Sequence, residues 1–113
     1  MDCLFCKIAN GDIPANIIYR DDLVMAFDDI NPQAPQHKLL IPLKHIATIN
    51  DLHEEDDELM GYMIQSATML AKQLNIAQEG YRLVVNCNAG AGQTVFHIHV
   101  HILGGRPLSW PPG

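Results

Sequence analysis

Between positions 97 and 103 the chain reads His97-Ile98-His99-Val100-His101-Ile102-Leu103, imidazole and branched apolar side chain in strict alternation. A β-strand repeats every two residues, so this order sets the three imidazoles on one face and Ile98, Val100 and Ile102 on the other. On a helix, residues two apart point in widely different directions and the same order would scatter both sets. The segment therefore demands a sheet with an apolar face to bury and a second face crowded with titratable nitrogens.

Such a strand needs neighbours. Ile17-Ile18-Tyr19 and Leu23-Val24-Met25-Ala26-Phe27 read as two strands joined by the polar turn Arg20-Asp21-Asp22, an antiparallel hairpin. Two prolines in Asn31-Pro32-Gln33-Ala34-Pro35 break the chain, and His37 to Ile41 is a third β-prone run, closed by Pro42. Tyr81 to Cys87 gives a fourth strand, Asn88 to Gln93 a Gly-containing loop, and Val95 to Leu103 the fifth strand. Near Phe5 to Ala9 a short helix or turn is expected. Leu59, Met60, Met63, Ile64, Ala67, Leu70, Ala71 and Leu74 share one face at a 3.6-residue period, which predicts a long helix packed on the sheet rather than a cofactor-binding stripe. Asp51 and Glu54 have the spacing of a capping box ahead of it, and the acidic run Glu54 to Glu58 reads as a solvated face near the positive end of the helix dipole. The sum is an α+β chain, a five-stranded antiparallel sheet with one long and one short helix.

Length bounds the answer further. At 113 residues, with 48% hydrophobic and 18% charged residues, the chain has material for one core, and residues 1–113 are expected to form a single domain. No repeat or linker divides it. The apolar runs are as short as Leu39-Leu40-Ile41, against about 20 residues for a membrane span, so no membrane partner is expected. The N-terminus lacks the basic and apolar regions of a secretory signal, and a cytoplasmic location is the expectation. A net charge of −6 disfavours nucleic acid as a partner, and an anionic ligand would need a local site. Three cysteines argue against a disulfide framework; Cys87 lies in an apolar run and is expected to be buried, while Cys3-Leu4-Phe5-Cys6 is open to metal, redox or packing roles.

Three alternating histidines are an improbable accident on a polar sheet face, and they suit either a nucleophilic, proton-handling site or a His₃ zinc site. The run His97 to Leu103 resembles the histidine-triad motif of nucleotide hydrolases and transferases, and this favours the first. Gly92-Gln93-Thr94-Val95-Phe96, Gly104-Gly105-Arg106, Asp29-Ile30-Asn31-Pro32-Gln33-Ala34-Pro35 and the terminal Trp110-Pro111-Pro112-Gly113 resemble the Hint branch, the purine nucleoside phosphoramidases. The likeness runs from Phe5 to Gly113.

That resemblance implies a homodimer built through the long helix and a sheet edge, and hydrolysis of purine nucleoside phosphoramidates (AMP or GMP conjugates) without a catalytic cofactor. It carries the nucleophile to His99, forming a covalent nucleotidyl-histidine, and the donor beside the phosphate oxygens to His101, which could also protonate the leaving amine. His97 and Gln93 join the catalytic set. Asp29 falls on the ribose, and Phe5, Ile13, Phe27 and Ile30 around the base; Asn86, Gly92, Gln93 and Thr94 fall near the phosphate, with Thr94 replacing the branch's usual Ser. Some bacterial relatives pair the Cys-x-x-Cys with two histidines, which implies structural zinc on Cys3, Cys6, His45 and His97. His37 is left to support the catalytic face, His53 to face solvent, and Trp110 to reach across the dimer. Two other readings stand beside this one: a dinucleoside polyphosphate hydrolase with the same triad, and a nucleotide- or partner-binding protein with vestigial activity.

Overall fold

The computed structural model describes residues 2–113. Its elements are α1 (Leu4–Ala9), β1 (Ile17–Arg20), β2 (Val24–Asp28), β3 (Gln36–Pro42), α2 (Asp57–Gln73), β4 (Tyr81–Val84) and β5 (Val100–Gly104). The strands form one antiparallel sheet in the order β1-β2-β3-β5-β4. Among the described residues no helix is long and apolar enough to cross a membrane.

Both faces of the sheet are covered, which explains why β2 is buried through Val24, Met25, Ala26 and Phe27 instead of alternating with solvent. Val24, Ala26, Leu40, Val100 and Ile102 pack with Met63, Ala67 and Leu70 of α2. Met25, Phe27, Leu39 and Ile41 point the other way, onto Phe5 and Ile8 of α1. The two-residue period thus assigns neighbouring side chains of one strand to two different cores. The α2 stripe is Met63, Ser66, Ala67, Leu70 and Ala71; Ile64, expected on it, is 48% exposed, one position round the helix from the buried row.

Entry into α2 also differs from expectation. Asp51 does not pair with Glu54: its Oδ2 accepts from the Thr48 backbone N–H at 3.2 Å, and Asp56 Oδ2 accepts from His53 N at 3.0 Å. Two successive 3₁₀ turns, Ile49–Asp51 and Glu54–Asp56, lead into the helix. Asp56 leaves the solvated face as well, lying buried with Lys44 Nζ at 2.6 Å, and that hydrogen bond holds its carboxyl below the usual range. His53 faces solvent as expected.

β4 and β5 are shorter than the apolar runs that encode them. In the β3–β5 register Leu40 faces Val100, so Ile98 would face Pro42, which has no N–H to offer the ladder. Pairing stops there, and Ile98 N donates instead to Ile46 O at 2.7 Å. Residues 95–99 run as an arch ahead of β5, and β4 ends at Val84, opposite His101. Cys87, beyond that end, is half-buried rather than buried.

Candidate active site

The arch keeps the alternation without the ladder: Ile98, Val100 and Ile102 enter the α2 core, while the three imidazoles face the α1 side. Each imidazole has a different partner, and the partners fix the protons. His97 Nε2 lies 2.8 Å from the Pro42 carbonyl, so that nitrogen carries the proton and Nδ1 holds a lone pair. His99 Nδ1 lies 2.8 Å from the His97 carbonyl, so its proton is on Nδ1 and Nε2 is the free base. Among the described residues His101 has no carbonyl partner; its Nδ1 lies 2.9 Å from His37 Nε2.

The direction of that last bond follows from the next one along. Gln33 N donates to His37 Nδ1 at 3.0 Å, so the neutral His37 ring is protonated at Nε2 and donates to His101. His101 Nδ1 is thereby an acceptor, and its own proton sits on Nε2. Asp29 supports the arrangement with Oδ2 3.3 Å from His37 Nε2, while Asp29 Oδ1 accepts from Asn31 N at 2.8 Å. Burial pushes His101 down to about 4, with the His99 and His37 rings adding to the effect, and burial lowers His37 too. Near neutral pH both rings are uncharged.

His99 and His101 border a cleft of about 330 Å³. Phe5, Ile13, Phe27, Asp29, Ile30 and Thr94 line it as well, so eight of the residues singled out from the sequence meet at one place. Phe5 stands edge-on to His99 at 5.0 Å and to Phe27 at 5.4 Å, and Ile30 is fully exposed at the rim. The floor also includes Ile8 and Leu39, which sequence reading missed; Leu39 was findable, because it pairs with Phe27 across β2 and β3 and shares its face.

Asn86, Gly92 and Gln93 do not line the cleft. Asn86 is half-buried, and Gly92 is an exposed left-handed residue at φ 92° ending a 3₁₀ turn. Gln93 is 3% exposed with its amide wholly engaged: Oε1 accepts from Asn88 N at 2.7 Å, and Nε2 donates to Ala47 O and Val95 O at 2.8 and 3.1 Å.

Behind His99, Cys3, Cys6, His45 and His97 converge. Cys3 Sγ and His45 Nδ1 sit respectively 3.4 Å from His97 Nδ1 and 3.4 Å from Cys6 Sγ. Cys6 Sγ to His97 Nδ1 is 3.6 Å, and the two Nδ1 atoms are 3.1 Å apart. A tetrahedral zinc ion with ordinary bond lengths holds its N and S ligands about 3.3–3.8 Å apart, close to these separations. The Pro42 carbonyl leaves His97 Nδ1 unprotonated toward the cluster, as a metal ligand must be. Burial lowers His97 and, with Cys3 beside it, raises Cys6. The four residues fit the ion. Asp29, His37 and His101 also lie within metal-binding distance of one another, but the Gln33 N–H on His37 Nδ1 keeps the proton on the nitrogen that would have to ligate.

Comparison with known proteins matches this geometry to a family. The HIT domain model matches residues 10–108. The chain is 51% identical over 107 residues to the purine nucleoside phosphoramidase of Escherichia coli K12, covering 95% of this chain and 90% of that one. It is 52% identical to an uncharacterized HIT-like protein of Synechocystis, covering 99% and 97%. Among solved structures, a HIT family hydrolase from Legionella pneumophila superposes with a TM-score of 0.98 at 54% identity, over 99% of this chain and 100% of that chain. One from Clostridium thermocellum gives 0.93 at 44% identity, over 96% and 94%. This chain belongs to the HIT domain family and is a hydrolase.

Proposed function

We propose that the protein hydrolyses the P–N bond of purine nucleoside phosphoramidates, conjugates of AMP or GMP, through a covalent intermediate on His99. The observation that carries this reading is the unlike protonation of two adjacent rings at one cleft: His99 offers a lone pair at Nε2, His101 an N–H. His99 Nε2 attacks the α-phosphorus as the P–N bond breaks, and the electron pair leaves with the amine, which takes a proton from solvent. Water then cleaves the P–N bond to His99 and frees the nucleoside monophosphate. His101, held neutral by burial, acts as a hydrogen-bond donor to the phosphoryl oxygens rather than as the acid of the first step.

Phe5, Ile13, Phe27 and Ile30 give the cleft an apolar end suited to a base, and Asp29 supplies an acceptor for ribose hydroxyls. Thr94 supplies a hydroxyl on the phosphate side. Gln93 acts by holding the Asn88–Val95 loop. Residues 1–113 work as one domain, in the cytoplasm, as a homodimer in which the exposed Trp110 reaches the partner's leaving group. Zinc on Cys3, Cys6, His45 and His97 would cross-link α1 to the segment after β3 and to the arch; the bond-making steps ask nothing of it.

Turnover of a fluorogenic adenosine phosphoramidate, measured beside diadenosine polyphosphate, tests the proposal. Faster cleavage of the phosphoramidate is expected. Preference for the polyphosphate would assign the alternative hydrolase activity, and binding of AMP with no turnover of either would mean vestigial chemistry.

A further inference from the structure

The segment between β2 and β3, residues 29–35, has no regular structure, yet the His37–His101 relay starts on its Gln33 N–H. Within the segment, Asp29 Oδ1 accepts from Asn31 N, and Gln33 Nε2 donates to Asn31 O at 3.0 Å. Asp29 N also donates to the His37 carbonyl at 3.1 Å, and further support comes from beyond the end of β5. Arg106 donates to the Gln33 carbonyl twice, from Nε at 3.1 Å and from Nη2 at 2.9 Å. Its Nη1 donates to the Pro107 carbonyl at 2.9 Å, which aims the guanidinium. Gly105, at φ 92°, packs against the same segment: a Cβ there would stand 3.0 Å from Pro35 Cβ.

We propose that Arg106 is a positioning residue for the hydrolysis, pinning Gln33 so that its N–H stays on His37 Nδ1 and His101 keeps its proton on Nε2, toward the cleft. The role rests on reading His101 as the donor to the phosphoryl group. Without the clamp Gln33 can swing away, and His37 can then carry its proton on Nδ1 and present a lone pair at Nε2. His101 must answer with its own proton on Nδ1, which turns a lone pair toward the phosphoryl oxygens where a donor is needed. Asp29 Oδ2, 3.3 Å from His37 Nε2, still favours the productive tautomer, so the loss is partial.

The test uses the full chain with Arg106→Ala and Arg106→Lys; the side chain is exposed, and thermal melts check that both fold. Long-range proton–nitrogen correlation spectra of the imidazoles at neutral pH read the tautomers without substrate. His37 and His101 should both be protonated on Nε2 in the parent, and both should become mixtures in Arg106→Ala. On adenosine phosphoramidate, Arg106→Ala should lower kcat about tenfold and leave KM within about twofold, with Arg106→Lys recovering part of both effects. Parent-like tautomers in Arg106→Ala would overturn the proposal, and a lower kcat alongside them would make Arg106 a strut only. If the parent itself fails to turn over phosphoramidates, that failure belongs to the proposed activity, and the spectra still decide the role of Arg106.

Discussion

Gln93 offers a direct contest between a substrate contact and a structural lock. Its side chain makes three hydrogen bonds to backbone groups from three places, Asn88, Ala47 and Val95, at 2.7, 2.8 and 3.1 Å, and it is 3% exposed. In Gln93→Ala each bond is lost at about 1 kcal/mol net, and the Asn88 N–H and two carbonyls are left with poor access to water, so the cost is about 3 kcal/mol or more. For a chain of 113 residues, 1 kcal/mol corresponds to roughly 4 °C, so Tm should fall by about 12 °C. Gln93→Glu should fall further still: it keeps the acceptor for Asn88 but sets an oxygen against the Ala47 and Val95 carbonyls. Scanning calorimetry with urea unfolding measures both variants, and AMP titration reports whether the cleft survives. A Gln93→Ala protein melting within about 3 °C of the parent, with kcat sharply reduced, would refute the lock and return Gln93 to the substrate.

His99→Ala should abolish turnover while AMP affinity by calorimetry changes little, because Phe5, Phe27 and Asp29 remain; substantial residual turnover would remove His99 as nucleophile. Changing Cys3 and Cys6 together to Ser should take zinc from about one ion per chain to none and lower stability by several kcal/mol, as elemental analysis and urea unfolding would show; a metal-free protein of unchanged stability would reject the site. Stability should also fall in mild acid. Folded His101 protonates only near 4, whereas the unfolded ring takes its proton near the ordinary 6.5, so stability is full above 6.5 and drops progressively to about 4. The 2.5-unit gap is worth about 3 kcal/mol at most, and a flat urea-unfolding profile between pH 7 and 4.5 would contradict it.

Periodicity carried the fold well where it acted locally. The hairpin β1–β2, the strand before Pro42 and the α2 stripe all follow from spacing within a window of a dozen residues. It failed where a distant partner decided the outcome. Val95 to His99 has every local mark of a strand, but the residue across the ladder is Pro42, and a missing N–H 56 positions from Ile98 ends the pairing. Asp51 and Asp56 cap backwards onto Thr48 and His53 because the chain turns twice before α2, which the acidic composition does not disclose. At the site the residue set was readable: Phe5, Phe27, Asp29, Thr94, His99 and His101 share the cleft. Arg106 stood inside a recognised motif, yet its contact with Gln33 spans 73 positions and left no spacing to read.

The chemistry of the triad is written less in its side chains than in the carbonyls they meet. An imidazole is a base at one nitrogen and a donor at the other, and only a neighbour decides which face does which. His97 meets a carbonyl 55 positions away at Nε2, and its lone pair turns to the cysteines. His99 meets the carbonyl of His97 at Nδ1, only two positions back, so the same residue that faces the cysteines also fixes the tautomer of its neighbour. His101 takes its orientation instead from a fourth histidine, 64 positions away, that the motif does not contain. Three identical residues at a spacing of two thus present three different faces: a lone pair toward the cysteines from His97, a lone pair at Nε2 from His99 and an N–H at Nε2 from His101. Displacing the backbone at His97 would move both its carbonyl, which holds His99, and its ring, which faces the cysteines, whereas displacing Gln33 would disturb His37 and His101, so the two halves of the site answer to separate supports.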